Sequence, residues 1–260
     1  MKKQLLIIFL SVLGLQGCKE NTKKERTSDL AENNIENELT VKEVKIIPIS
    51  HATTILEWGD ITIYIDPVGG ADVFKNQKLP DLILITDIHG DHFSLQTLKG
   101  LDTSKAKIIV PQAVADKMPK NFTPQLDILN NGDAKERYEI NIEAIPMYNL
   151  RKDALKFHTK GRGNGYVLNI DGKRFYFSGD TEDIPEMRAL ENIDKAFICM
   201  NLPYTMTVES AASAVLEFKP KQVYPYHYRG NPDVSDVAKF KRIVNKENAN
   251  IEVVQLDWYP

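Results

Sequence analysis

The run Thr86-Asp87-Ile88-His89-Gly90-Asp91-His92 places two carboxylates and two imidazoles within six residues, directly after the apolar run Leu82-Ile83-Leu84-Ile85. Such an apolar run predicts a buried strand, and Gly90 predicts a turn. An isolated Asp-His pair in a turn is ordinary capping. Four ionisable groups on one tight loop repel or desolvate one another unless a cation neutralises them, and mixed nitrogen and oxygen donors suit zinc, manganese or iron.

Short strands are expected over 44–49, 53–57 and 61–65, with Gly59-Asp60 turning the last two. Further strands are expected over 82–85 and 107–110, with a helical stretch over 94–99 between them. Strands over 140–145, 165–170 and 173–178 follow, the last two joined by the strong hairpin signal Asp171-Gly172. Late strands over 196–200 and 222–226 flank a helix over 208–218, which Thr207 caps and Pro220 closes. A helix over 234–245 and a strand over 251–256 end the chain. Hairpins followed by alternating strands and helices occur twice, which predicts an α/β fold of two facing sheets with helices outside.

The chain has five histidines: His51, His89, His92, His158 and His227. The loop after residue 85 resembles the His-x-His-x-Asp-His signature of the metallo-β-lactamase superfamily. Asp87 stands where the first histidine is usual, and His89, Asp91 and His92 match. The segment from Phe157 through His158 to Tyr166 resembles the third motif of that superfamily, Gly179-Asp180-Thr181 the fourth, and Tyr226-His227-Tyr228 the fifth. The resemblance implies a four-layer αββα sandwich with its site at one edge. It also implies two divalent metal ions: Asp87, His89 and His158 would hold the first, Asp91, His92 and His227 the second, and Asp180 would bridge them. Zinc is the first expectation. Manganese and iron are the alternatives, because the hard oxygen of Asp87 favours them. Paired ions lower the pKa of a shared water, so a metal-bound hydroxide exists at neutral pH, and Asp91 would orient it and return a proton. Asp66 matches an acidic residue that supports the site, orienting an imidazole from behind, although a turn Asp before Pro67 reads the same way. His51, in Ser50-His51-Ala52-Thr53, resembles a segment of the L-ascorbate-6-phosphate lactonase-like branch and is expected to support the site or face substrate. Segments 147–149 and 201–207 also look closest to that branch and to the phospholipase D that acts on N-acyl phosphatidylethanolamine.

Arg151, Lys152, Lys156, Lys160 and Arg162 surround His158 with one acid, Asp153, among them. They read either as an anion-binding rim or as a solvated loop face. Tyr148, Tyr204, Tyr226, Tyr228 and Arg229 are expected to line the same mouth, with Tyr204 and Arg162 closest to substrate or metal ligands. The favoured function is hydrolysis of an ester, lactone or phosphodiester of a small anionic substrate. The alternative is a non-catalytic, lipid-anchored metal-binding protein or an iron-dependent redox relative.

Met1-Lys2-Lys3, the apolar stretch from Leu5 to Leu15, and Gly17-Cys18 form a secretory leader, too short to cross a bilayer. Leu15-Gln16-Gly17-Cys18 resembles a bacterial lipobox. Residues 1–17 are thus read as a signal peptide, 18–40 as a lipidated Cys18 with a polar tether, and 41–260 as the catalytic domain. Export and lipid anchoring to a bacterial membrane, on the periplasmic or cell-surface side, are expected. Cys199 lies in an apolar run and reads as a buried, inert thiol. The formal charge is −3, and removing Lys2 and Lys3 with the leader makes it −5. Nothing in that balance favours nucleic acid.

Overall fold

A computed structural model describes residues 43–259. The leader, Cys18 and the tether expected over 1–40 lie outside the described residues. The first sheet runs in the order β1 (Lys45–Ser50), β2 (Thr53–Trp58), β3 (Ile61–Ile65), β4 (Leu82–Leu84), β5 (Lys107–Val110) and β6 (Leu126–Ile128). It is antiparallel from β1 to β3 and parallel from β3 to β6. The second sheet holds β7 (Ala134–Arg137), β8 (Ile140–Met147), β9 (Gly163–Ile170), β10 (Lys173–Phe177), β11 (Lys195–Ile198), β12 (Gln222–Pro225) and β13 (Glu252–Val253), again in sequence order. It is antiparallel from β7 to β10 and parallel beyond. The expected repeat of hairpins followed by crossovers is therefore present in both sheets.

The helices are α1 (Leu95–Gly100), α2 (Gln112–Ala115), α3 (Pro185–Arg188), α4 (Val208–Phe218) and α5 (Val237–Glu247). Thr207 caps α4 by accepting from the Ser210 N–H at 3.0 Å. The helix expected from Val234 starts later, because Val234 pairs in a bridge with Arg229 and Asp236 is the residue that caps α5.

Parallel strands buried on both faces read as unbroken apolar runs, and β4 shows why. Leu82 and Leu84 join the main core, which holds residues of both sheets, while Ile83 and Ile85 join a separate cluster with Leu98 of α1 and Val114 of α2. Asp171 and Gly172 both adopt positive φ, 51° and 74°, between paired Ile170 and Lys173, as a two-residue hairpin requires. Two strands escaped the sequence reading. β6 has only three residues, and β7 is the charged edge segment Ala-Lys-Glu-Arg. Charge on an edge strand deters pairing with other chains but erases the apolar alternation that marks a strand.

Candidate metal centre

Loops at one edge of the sandwich supply the polar side chains, beyond the carboxyl ends of strands, where crossovers in α/β sheets leave room for ligands. The chain leaving β3 carries Asp66; leaving β4, Thr86 to His92; leaving β8, Asn149 and His158; leaving β10, Asp180; leaving β11, Asn201 and Tyr204; and leaving β12, His227. His51 sits in the turn between β1 and β2. The two sheets are stitched together here. The Asn164 N–H donates to the Thr86 carbonyl at 2.9 Å. Gly163 permits this approach, since a Cβ there would lie 2.8 Å from the same carbonyl oxygen.

Two groups of side chains each bring their donor atoms within 4.8 Å of one another: Asp91, His92, Asp180 and His227, and Asp87, His89 and His158. All seven residues expected as ligands from the sequence lie in these groups. Asp180 stands between them. Its Oδ2 is 3.2 Å from His158 Nε2 and 3.3 Å from His92 Nε2, and its Oδ1 is 3.2 Å from His227 Nε2. Yet Asp180 Oδ1 is buried without a hydrogen bond, and His92 Nε2 and His227 Nε2 face each other at 3.0 Å. Buried polar atoms normally find partners. A divalent cation would satisfy this carboxylate oxygen and both imidazole nitrogens at once, so the donor set fits a metal.

Three of the four imidazoles in these groups have a partner on Nδ1, while His227 Nδ1 is buried without one. His92 Nδ1 lies 2.8 Å from Asp66 Oδ2, and buried Asp66 also accepts from the Thr86 N–H at 2.7 Å and hydroxyl at 2.6 Å. That is the position of a carboxylate orienting a ligating imidazole. His158 Nδ1 lies 3.3 Å from Asn149 Oδ1, while Asn149 Nδ2 donates to the carbonyls of Ala154 and Tyr204. His89 Nδ1 lies 2.8 Å from Asp87 Oδ2. Asp87 is also gripped by Arg162, Nε to Oδ1 at 3.1 Å and a terminal nitrogen to Oδ2 at 2.9 Å. His51 is outside both groups. Its Nε2 lies 3.3 Å from Asp91 Oδ2, and its Nδ1 lies 2.8 Å from the Tyr259 hydroxyl. His51, Asp66 and His227 all hold left-handed backbone, at φ of 58°, 46° and 45°.

The electrostatics follow from crowding. Burial opposes ionisation of Asp91, yet hydrogen bonds from His227 and His51 hold its carboxyl below the usual range. Burial of Asp180 is likewise outweighed, by the charges of His227 and His92, and its carboxyl lies well below the ordinary value. Burial pulls His92 down, but Asp180 and Asp66 together raise it well above 6.5. Burial is the main influence on His51 and lowers it.

A cavity of 210 Å³ opens onto both groups, lined by His89, Asp91, Phe157, His158, Asp180, Asn201 and Tyr204. Tyr204 is at the mouth as expected, edge-on to Phe157 at 5.1 Å. Three of the five expected rim cations are engaged elsewhere, while Lys156 lies over the ring of cavity-lining Phe157 at 5.1 Å. Arg151 is consumed by Glu182 and by the carbonyls of Pro203 and Thr205, Lys160 pairs with Glu186, and Arg162 turns inward onto Asp87. Tyr226 is wholly buried, its hydroxyl accepting from the Gly179 N–H at 3.0 Å, so it belongs to the core and not to the mouth. A run of charges in sequence shows neither partners nor direction. Cys199 is buried, and burial pushes its thiol up to about 11. Sequence reasoning placed Asn149 in a branch-like segment without a role of its own and missed Tyr259, which carries no motif. The only signal of either role is the imidazole each one touches.

A model of the β-lactamase superfamily domain matches residues 45–227. A UPF0173 metal-dependent hydrolase of Pyrococcus abyssi is 30% identical over 225 residues, covering 82% of this chain and 96% of that protein. Among solved structures, a candidate metal-dependent hydrolase from Parabacteroides distasonis superposes with a TM-score of 0.73 at 36% identity, over 82% of this chain and 93% of its own. A metallo hydrolase from Ignicoccus hospitalis shares the fold, with a TM-score of 0.69 at 24% identity over 84% of this chain and 96% of its own.

Proposed function

Because the chain belongs to the UPF0173 metal-dependent hydrolases of the metallo-β-lactamase superfamily, we propose that it cleaves an ester, lactone or phosphodiester bond of a small anionic molecule at a two-metal centre. One observation carries this reading: Asp180, whose buried Oδ1 has no hydrogen bond, lies beside His92 and His227 and lines a cavity that Asp91 also lines. Bound divalent cations supply Lewis acidity and water of lowered pKa. Zinc is the first candidate, then manganese or iron.

The residues divide the remaining work. Asp91 is 42% exposed in its side chain and faces the cavity. It is the group placed to take a proton from the attacking water and return it to the leaving oxygen. His51 holds Asp91 in that orientation and is itself held by Tyr259. Phe157 and Tyr204 offer an aromatic wall to the body of the substrate. With Arg151 and Lys160 already paired, the anionic group of the substrate is assigned to the metal centre, and Lys156, over the Phe157 ring, is the loop cation nearest the cavity wall. The lactonase-like branch remains the proposed neighbourhood within the superfamily, on the strength of His51 and segments 147–149 and 201–207. Attachment through a lipidated Cys18, in the periplasm or at the cell surface, is part of the same proposal.

The test is metal content by plasma mass spectrometry on residues 19–260 purified without added metal, followed by a screen of lactones, carboxylic esters and phosphodiesters with the ion found. Turnover that chelator abolishes and metal restores is expected. Metal binding without turnover of any class would favour the non-catalytic reading.

A further inference from the structure

Arg162 is the only arginine or lysine among the described residues that pairs with any of the seven ligand candidates. Its fork meets both oxygens of Asp87, at 3.1 and 2.9 Å, and one terminal nitrogen also donates to the Phe157 carbonyl at 2.6 Å. The Asp87 side chain is fully buried and the Arg162 side chain only 18% exposed. A bidentate guanidinium–carboxylate pair shielded from water is a strong, pre-oriented contact. His89 takes a third position on the same carboxylate, through Nδ1 at 2.8 Å. The group Asp87, His89 and His158 thus has one carboxylate whose charge an internal cation already balances. The group Asp91, His92, Asp180 and His227 has two carboxylates, and only imidazoles pair with them.

We propose that the two halves fill in order. One ion binds tightly to Asp91, His92, Asp180 and His227. The other binds weakly and exchangeably at Asp87, His89 and His158, because it must displace or share Asp87 with Arg162, so Arg162 sets the occupancy of that half. The inference rests on the metal-binding part of the function proposed above and is independent of which bond is cleaved. A guanidinium lying against a ligand carboxylate opposes a dication twice: by direct repulsion, and by holding the oxygens the ion needs.

The experiment is calorimetric titration of metal-free residues 19–260 with zinc and with manganese, with bound metal counted after dialysis. Two phases are expected, separated in affinity by about tenfold or more, the scale of one close charge–charge coupling. About one equivalent should survive dialysis. In Arg162→Gln, with a thermal melt checking the fold, the weak phase should tighten by about tenfold or more while the strong phase holds. Arg162→Lys keeps the charge without the fork and should leave the weak phase weak. His158→Ala should remove the weak phase and spare most of the strong one. Two equivalent tight ions in the wild type would overturn the proposal. So would an Arg162→Gln protein whose weak phase is unchanged or weaker, since Arg162 would then be supporting Asp87 as a ligand. Ordered filling without turnover of any substrate class would leave this inference standing and remove the hydrolase reading alone.

Discussion

His89 and His92 lie on the same loop, yet they serve under different conditions. His92 is wholly buried, its Nδ1 on a carboxylate that Thr86 saturates from the other side. His89 has a 39% exposed side chain and leans on Asp87, which Arg162 also claims. Around His92 the structure gathers excess negative charge with no arginine or lysine paired to it among the described residues; around His89 it balances the charge internally. The same residue types therefore make one half a demanding cation site and the other a half-satisfied one. A ligand motif gives the donor atoms, but the strength of a site depends on what else those atoms are holding.

Removal of the shared carboxylate should break the comparison most severely. Asp180→Ala touches His92, His158 and His227 together. It is expected to empty both halves in a metal count and lower hydrolysis by more than about a hundredfold, beyond what loss of an outer partner usually costs.

Acidity should separate the metal-free and metal-bound proteins with opposite signs. In the metal-free fold the His92 value is raised above 6.5. The stability gained from its charged form is therefore fully present below that value and is lost as pH rises through the raised one. Metal binding needs that proton gone, so affinity at the tight half should climb by about tenfold per pH unit for each proton released, until the raised value is passed. Thermal melts with and without metal from pH 6 to 8 should diverge; parallel curves would show that His92 is not a ligand.

Asp66→Asn sharpens the comparison by acting on the buried half alone. It should weaken the tight ion by about ten- to a hundredfold, the usual effect of losing an outer carboxylate. Asn149→Ala acts behind His158 at the longer distance of 3.3 Å, and should loosen only the exchangeable ion, by about tenfold or less. Isotope exchange of bound metal distinguishes the two variants. The smallest effect is expected from Tyr259→Phe, which removes the hydroxyl from His51. It should lower kcat by about two- to tenfold, the worth of one hydrogen bond, with metal content unchanged. A loss of metal in that variant would mean that His51 supports the ions themselves.

Much of this molecule is local. Apolar runs such as Leu82–Ile85 must be buried wherever the chain goes, Asp171-Gly172 must turn, and Thr207 must cap the helix that follows, because each depends on contacts within a few residues. The ligand candidates were legible for a related reason: their order and flanking strands carry the resemblance that belongs to the whole superfamily. The short edge strands β6 and β7 were not legible, since neither carries an apolar alternation. Nor were the partners that give the site its character. Arg162 reaches Asp87 across 75 positions of sequence and Tyr259 reaches His51 across 208, and in both cases packing of the two sheets decides the meeting. Sequence by itself determined the apolar strands, the turns and the inventory of donors. Only the tertiary structure decided which cations and hydroxyls face those donors, because a charged side chain takes its partner from whatever the packing brings within about 3 Å.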